Sequence, residues 1–229
     1  MKTILFLGVE VDLFTSCFGN ESLWKALGCQ FQSLPEPCNL AAAAEALGNK
    51  DLQCVVIEDH ENEVWDLVKG YYDKGGFVVY FGIMGEFSAP SAIGGEIGAD
   101  WSFSAYTTHN YLLTPVAFNY IGDAIRKQQY SKCNLVAAPE GERLMVPEVM
   151  TLEEFFEENA SDDDDEEEVA KAKASYEEFR EAQLRQSPLV LHRNEKGGRF
   201  AYLGFVNGDG KIPNIVQALL TDTPANASV

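Results

Sequence analysis

The chain has 229 residues, of which 46% are hydrophobic and 11% aromatic, enough for one domain with a large core. Its formal net charge of −19 predicts that nucleic acid and anionic membranes are not its partners, because their phosphates would be repelled. The five cysteines form no CxxC pair, which favours reduced, mostly buried thiols over a disulfide framework.

The first half of the chain alternates between strand and helix patterns. Strands are predicted at 4–11, 30–34, 52–57 and 77–83, and helices at 21–27, 40–47 and 61–73. Short strand–helix–strand connections indicate parallel pairing with right-handed crossovers. Glu10 and Asp12 interrupt the apolar N-terminus too early for a signal peptide, so this segment is interpreted as the first strand.

The second half is less regular. The pattern predicts a glycine-broken helix at 88–99, then extended aromatic segments, a helix around 118–125 and a strand at 134–138. The aromatic residues from Trp101 to Tyr120 are interpreted as core, with a pocket lining or an oligomer interface as alternatives. A hairpin is predicted from 189–192 and 199–205, and Pro213 suits the first turn of a last helix.

Two segments of the chain have the same shape. Lys-Gly-Gly at 74–76 and at 196–198 each opens an apolar run that stops at a glycine, Gly82 and Gly204 respectively. Runs that are apolar on both faces are typical of strands covered on both sides. The predicted fold class is therefore α/β, with three layers and a mostly parallel sheet flanked by helices.

A single α/β domain is predicted over 1–220, with an acidic segment and a helix inserted at 151–186 and a flexible tail at 221–229. The stretch from Glu153 to Glu168 holds eleven acidic residues and no basic one. Its core, which starts at Asp162 and ends at Glu168, repels itself and is predicted to be disordered or solvated. The alternative is a docking strip for a basic protein partner.

These segments carry a resemblance to a known family. The helix ending at Gly75-Gly76, the element Gly98-Ala99-Asp100-Trp101 and the late strand from Gly198 to Gly204 resemble the class I glutamine amidotransferase-like superfamily, in its ThuA-like and trimerisation-domain branches. The resemblance covers most of 1–140 and 187–220, and it implies a flavodoxin-like arrangement.

The residues that glutaminases of this superfamily use are absent. The resemblance implies a cysteine on the sharp turn after the central strand, paired with a His-x-Glu on the late strand. Here the turn is Gly82-Ile83-Met84-Gly85-Glu86, and the late strand ends in Gly204-Phe205-Val206-Asn207. Covalent acyl chemistry needs a nucleophile activated by an adjacent base, so the sequence predicts no glutaminase activity.

Other polar residues are predicted at the carboxyl ends of the strands, where open α/β sheets bind ligands. Predicted ligand-binding residues are Gly8, Glu10, Asp59, Gly82 and Gly85, and predicted catalytic residues are Glu86, His109 and His60. Several have structural alternatives: Glu10 and Asp12 as turn residues, Asp59 as the N-cap of the helix at 61–73, and His109 as a buried core residue. No His-x-His or His-x-x-x-His spacing supports His60 as a metal ligand. Cys17 is interpreted as an inert thiol, and no cofactor or metal is predicted.

The sequence supports three functional hypotheses. The first is a non-glutaminase module for ligand binding, regulation or assembly, with a small-molecule ligand and self-association into a homo-oligomer. The second is a hydrolase or lyase in which Glu86 works with Asp59, His60 or His109 as acid–base or metal-binding groups. The third is an acidic adaptor for a basic partner. The predicted location is the cytoplasm, with the nucleus as a further compartment.

Overall fold

The fold is that of a computed structural model, which describes residues 1–18, 21–60, 63–82, 87–107, 110–121, 127–129, 132–159, 166–207 and 214–221. In the described residues the strands are β1 (Lys2–Leu7), β2 (Cys29–Leu34), β3 (Leu52–Ile57), β4 (Phe77–Phe81), β5 (Ser102–Thr107), β6 (Asn110–Leu113), β7 (Lys127–Gln129), β8 (Lys132–Ala137), β9 (Met145–Pro147), β10 (Gln186–Ser187), β11 (Leu189–Arg193), β12 (Arg199–Leu203) and β13 (Phe205–Asn207). The helices are α1 (Val11–Phe18), α2 (Glu21–Ala26), α3 (Leu40–Leu47), α4 (Trp65–Tyr72), α5 (Ala89–Ile97), α6 (Pro115–Ile121), α7 (Leu152–Asn159), α8 (Glu166–Gln183) and α9 (Asn214–Thr221), with a 3-10 turn at Glu140–Glu142.

A six-stranded sheet forms the centre of the fold, in the order β11-β12-β4-β3-β1-β2. The strands from β12 to β2 are parallel, and β11 alone pairs antiparallel, with β12. The prediction of an α/β fold with a mostly parallel, helix-flanked sheet is confirmed, and the arrangement is consistent with a flavodoxin-like fold.

Both faces of this sheet are buried, which explains why its strands are apolar throughout. In β1, Ile4 and Phe6 face one apolar layer, where α1, α2, α6 and α9 contribute residues such as Trp24 and Leu219. Leu5 and Leu7 face the other layer, which is covered by α3, α4 and α5. Successive side chains of a strand point to opposite faces, so each strand contributes to both layers.

The predicted first strand is too long. β1 stops at Leu7 because Gly8 takes φ 72°, a left-handed conformation that turns the chain. The Gly8 amide then donates to the Leu34 carbonyl oxygen at 3.0 Å. Residues 11–18 form α1. The sequence pattern placed residue 11 at the end of the first strand and predicted no helix or strand at 12–18.

The fourth helix is shorter than predicted, and this corrects one interpretation of Asp59. α4 begins at Trp65 rather than near residue 61, and its N-cap position is Val64, with no side-chain capping hydrogen bond. Asp59 lies too far upstream to cap this helix, so the capping interpretation is wrong. By contrast, the helix at 40–47 and the strand at 52–57 are confirmed as α3 and β3.

α5 is continuous, although a glycine-broken helix was predicted at 88–99. Gly94 and Gly95 lie inside it, and it ends at Gly98, whose φ of 80° suits a left-handed C-cap. A Cβ on Gly94 would lie 2.8 Å from the carbonyl oxygen of Ala99, so this glycine allows the chain to fold back closely after the helix.

The predicted closing hairpin connects two sheets. β10 continues through Pro188 into β11, and β12 continues through Gly204 into β13. β11 and β12 belong to the six-stranded sheet, whereas β10 and β13 pair antiparallel with β8, which also pairs with β5. At the bend the Gly204 amide donates to the Pro188 carbonyl at 2.8 Å. We call residues 186–193 and 199–207 the crossing hairpin.

The remaining elements pack around these two sheets. β6 pairs with β7 and β9 in a third, antiparallel sheet. α7 and α8 contact each other where the Phe155 ring lies 5.5 Å from Tyr176 and 5.3 Å from Phe179, measured between ring centroids. The acidic residues 162–165 and the tail at 222–229 lie outside the described residues, and the insertion at 151–186 stays a prediction.

All five cysteines are free thiols. Cys17, Cys29, Cys54 and Cys133 are buried, and Cys38 is partly exposed. In the part of the chain that the structure describes, no helix combines the length and the apolar character needed to cross a lipid bilayer.

Candidate functional site

A cleft of about 1010 Å³ opens at the carboxyl edge of the six-stranded sheet. Its lining residues come from the loops that follow β1, β2 and β3, from the start of α1 and from the end of β2. Others come from the end of β4, from β8 and from β12. The chain passes from β1 to β2 on one side and reaches β3 on the other, so β1 and β3 flank a topological switch point. Open α/β sheets bind ligands at this position.

The lining of this cleft is strongly acidic. Five carboxylates line it, and none of the described lining residues is Lys or Arg; the five are Glu10, Asp12, Glu36, Glu58 and Asp59. They come from the three segments that follow β1, β2 and β3, with Asp12 in the first turn of α1, and the parallel topology brings these segments to one edge. We call them the cleft carboxylates.

Gly8 leaves space for the side chain of Glu36, one of the cleft carboxylates. A Cβ on Gly8 would lie 3.0 Å from Oε1 and 3.1 Å from Cγ of Glu36, so the Glu36 side chain packs over this glycine. Nearby, the Cys38 thiol donates to the Leu34 carbonyl at 3.3 Å. Burial, with the negative charge of Glu36 adding to it, raises the pKa of the Cys38 thiol. This thiol is therefore held in its protonated, unreactive form.

Glu58 is the cleft carboxylate whose charge is most clearly opposed by its surroundings. Burial raises its pKa, and the negative charges of Glu36, Glu10 and Asp59 raise it further. The surroundings of Glu58 therefore disfavour the ionised form of its side chain.

We expect Glu58→Gln to raise the melting temperature at neutral pH by a few degrees. Because the folded-state pKa of Glu58 is raised, the folded protein binds more protons at this site than the unfolded chain does. The favourable contribution of Glu58 to the free energy of unfolding is fully present below its pKa in the unfolded chain, about 4.3. It is lost as pH rises through the pKa of Glu58 in the folded protein. Thermal unfolding from about pH 4 to pH 8 should show that the melting temperature of the variant increases relative to that of wild type as pH rises.

The control for this experiment is Glu45→Gln, on an exposed position of α3. It should leave the pH profile unchanged. A Glu58→Gln protein that melts lower than wild type across the whole range would show that the Glu58 charge is stabilised rather than opposed.

The base of the cleft is formed by buried, uncharged polar side chains. Tyr80 and Tyr202 face each other on neighbouring strands, with ring centroids 5.9 Å apart and an angle of 12° between the planes. Asn134 donates from Nδ2 to the Gly82 carbonyl at 2.9 Å, which holds the end of β4. The cleft thus passes from acidic at its rim to neutral and aromatic at its base.

The Tyr202 phenol belongs to a buried side chain that lines the cleft. The residue is only 2% exposed, and its hydroxyl lies 3.0 Å from the point that a Cβ on Gly82 would occupy. Burial raises the pKa of Tyr202, with Tyr80 and Cys133 adding to the effect, so the phenol stays neutral.

The structure brings four of the predicted ligand-binding residues together. Gly8, Glu10, Asp59 and Gly82 all line the cleft, while Gly85 lies outside the described residues. Sequence reasoning missed Glu36, Glu58, Asn134 and Tyr202. A signal existed for Glu58, which directly follows β3, but none marked the others. Ligand binding by these residues stays a prediction.

The predicted catalytic residues do not form a described cluster. Glu86 and His109 lie outside the described residues. His60 is 6% exposed and is not among the residues that line the cleft. Its ring centroid lies 6.3 Å from Trp65 and 6.4 Å from Tyr80, and its Nδ1 has no partner among the described residues. Catalysis by these residues stays a prediction.

The third histidine makes a hydrogen bond with a carboxylate that the sequence did not indicate. His192 Nδ1 lies 2.7 Å from Oε1 of Glu142, and the Trp101 indole donates to the other oxygen of the same carboxylate at 2.6 Å. The pair links the 3-10 turn to β11, and neither residue lines the cleft. Its geometry suits a structural clamp. No group of three metal-ligating side chains is close enough to hold a metal ion anywhere in the described residues.

Fold and cleft together define the class of this molecule: an α/β protein, consistent with the flavodoxin-like fold, with an acidic cleft at the carboxyl edge of its sheet. No protein-family model and no curated protein matches the chain.

Among solved structures, the chain is similar to the mmIFT52 N-terminal domain, with a TM-score of 0.57 and 16% identity over 96% of this chain and 98% of that one. It is also similar to a ThuA-like protein from Parabacteroides merdae, with a TM-score of 0.46 and 11% identity over 88% of this chain and 78% of that one. At 16% identity the first likeness shows a shared fold.

Proposed function

We propose that this chain is a non-glutaminase binding module that holds a small ligand in the cleft at the carboxyl edge of its sheet. The observation that carries the proposal is the cleft itself: about 1010 Å³ at the switch point, with charged groups at its rim and a buried polar base. The resemblance to ThuA-like amidotransferase relatives supports the absence of glutaminase activity, because the turn at 82–86 holds no thiol or hydroxyl.

A binding role fits the described residues better than an acid–base enzyme does. Acid–base catalysis needs at least two groups within hydrogen-bond reach of a common point. Of the four residues proposed for a hydrolase or lyase, only Asp59 is among the described residues that line the cleft. The assembly and acidic-adaptor roles and the cytoplasmic location remain hypotheses that no described contact favours.

A cleft-blocking variant tests the proposal. Ser33 lines the cleft from the exposed end of β2, so Ser33→Trp should fill the entrance without disturbing the core. The neighbouring Gln32 is also exposed and does not line the cleft, which makes Gln32→Trp the matched control. Both variants and wild type would be screened by thermal shift against small organic cations, neutral sugars and organic anions.

We expect at least one compound to raise the melting temperature of wild type and of Gln32→Trp, but not of Ser33→Trp. Ligand at a hundredfold excess over Kd adds about 2.7 kcal/mol to the free energy of unfolding. For a chain of this size that is a shift of about 5–10 °C. If no compound of any charge class shifts wild type, or if Ser33→Trp responds equally, the cleft is not a ligand site.

A further inference from the structure

We infer that β5 carries a contact surface for a second copy of this chain, and that three aromatic side chains form its centre: Phe87, Phe103 and Tyr106. We call these three side chains the aromatic patch. The inference goes beyond the proposed function and does not depend on a ligand in the cleft. Three observations support it: the shared face of the rings, the open edge of β5 and the absence of charge.

The first observation is that a register shift in β5 turns its two aromatic side chains to the same face of the sheet. Phe103 pairs with Val136 of β8 and Tyr106 pairs with Asn134, and the register shifts directly after Phe103. Val136 and Asn134 are two residues apart, so their side chains lie on one face, and those of their partners lie there with them. Without the shift, Phe103 and Tyr106 would point to opposite faces.

Phe87 adds a third ring to this group. Its ring centroid lies 4.4 Å from that of Phe103, with 43° between the ring planes. Phe87 is 52% exposed and Tyr106 is 49% exposed, so both side chains contact solvent. By contrast, Ala105 points to the other face and packs against the core. Contiguous exposed apolar surface of this kind is typical of sites where proteins interact.

The second observation is the open edge of β5. Among the described residues β5 pairs with β8 alone, so in this part of the chain its outer edge is available to a further strand. Proteins often protect such an edge with charged side chains or proline, and neither occurs in Ser102–Thr107. β2, the edge strand of the six-stranded sheet, also lacks charge, but the residues that it exposes are Gln32 and Ser33. An uncharged edge with exposed aromatic rings is therefore particular to β5 among these two strands.

The third observation is the distribution of charge, which indicates the partner. The chain has a formal net charge of −19, yet its sequence holds no Asp, Glu, Lys or Arg from Trp101 to Gly122. Two copies with this net charge repel each other, so the contact that costs least is one between surfaces that carry no charge. A basic partner would instead be attracted to the acidic parts of the surface.

A two-fold contact between two copies suits such a patch. In an isologous contact the same surface is used on both sides, so a single contact removes both aromatic patches from water. Aromatic residues are enriched and charged residues are depleted at the centre of protein interfaces. The composition of the aromatic patch and of β5 matches this description.

The oligomeric state of the wild-type protein is the first test. Sedimentation equilibrium over about a hundredfold range of concentration should show a reversible equilibrium between monomer and dimer. The dimer should become more stable as NaCl is added, because salt screens the repulsion between two acidic chains. A protein that stays monomeric throughout, or a dimer that weakens as salt is added, would contradict the inference.

Substitutions in the aromatic patch are the second test. Tyr106→Glu and Phe87→Glu should each raise the dissociation constant of the dimer at least about tenfold, because they place a charge inside an uncharged contact. The matched control is Leu184→Glu, since Leu184 is 47% exposed and lies directly after α8, outside the aromatic patch. This variant should change the dissociation constant by less than about twofold. An equal loss in all three variants would mean that added charge, rather than the patch, decides the outcome.

Charge reversal tests whether the patch meets its own copy. Tyr106→Lys should weaken the dimer as Tyr106→Glu does, because an isologous contact places the same substitution on both sides. An equimolar mixture of the two variants should form a heterodimer at least about tenfold more stable than either homodimer, since unlike charges then face each other. A mixture that stays monomeric would show that the two patches do not meet.

Hydrogen exchange of the wild-type protein needs no substitution and so does not depend on how the variants fold. The amides of β5 should exchange more slowly at concentrations that favour the dimer, whereas those of β2 should not change. Protection confined to β2, or to segments other than β5, would place the contact elsewhere and contradict the inference. The ligand screen with Ser33→Trp does not involve β5, so either proposal can fail without the other.

Discussion

Gly204→Ala should destabilise the protein by about 3 kcal/mol or more, because the added methyl group has no space. A Cβ at Gly204 would lie 1.9 Å from the carbonyl oxygen of Asn134 and 2.9 Å from Cε1 of Tyr202. The Asn134 oxygen belongs to the backbone of β8, so relief requires one sheet to move away from the other. Equilibrium unfolding in urea should show a lower midpoint, and expression at 37 °C should fall.

Gly141→Ala is the matched control for this change. Gly141 is exposed in the 3-10 turn, and nothing lies within 4 Å of the position that its Cβ would take. This variant should unfold within about 0.5 kcal/mol of wild type. Equal stability of Gly204→Ala and Gly141→Ala would mean that the two sheets do not meet at Gly204 as described.

Phe14→Ala should lower the free energy of unfolding by about 3–5 kcal/mol, the usual range for a buried phenylalanine. Phe14 is 0% exposed in α1, and its ring contacts five others. Centroid distances are 4.9 to 6.2 Å, and the partners are Phe6, Phe18, Trp24, Phe31 and Phe81. The loss combines the removed apolar area, the cavity left behind and the lost ring contacts.

The comparison for this variant is Phe87→Ala. Phe87 is 52% exposed and has a ring contact with Phe103, so its truncation should cost about 1 kcal/mol or less. Urea unfolding of both variants would measure the difference between their free energies of unfolding. The dependence of the free energy on urea concentration should be the same as in wild type. A similar small loss for Phe14→Ala would place α1 off the sheet rather than against it.

The elements that the sequence predicted well are those whose pattern is local. α3, β3 and β4 each have a clear periodicity bounded by glycine or a polar turn, and the structure has them within a few residues. α1 was missed because the apolar run continues past Gly8. The sequence did not indicate that Gly8 adopts a left-handed backbone conformation, which ends β1. The sheet around β8 was missed because its partners lie far apart in the sequence.

The same distinction applies to the cleft. Glu10 and Asp59 could be predicted because they directly follow strands whose ends share an edge in any parallel sheet. Tyr202 could not, because its position at the base depends on the register that pairs it with Tyr80 across β12 and β4. Sequence reasoning located the edge, whereas the chemistry at its base depends on long-range pairing.

The crossing hairpin also has a consequence for how the chain folds during synthesis. On the ribosome β1 to β4 emerge early, but β4 has one open edge until β12 has been made, because β12 is its neighbour there. Tyr202 arrives with that same strand. A nascent chain therefore holds a half-finished sheet with an exposed strand until β12 has been made.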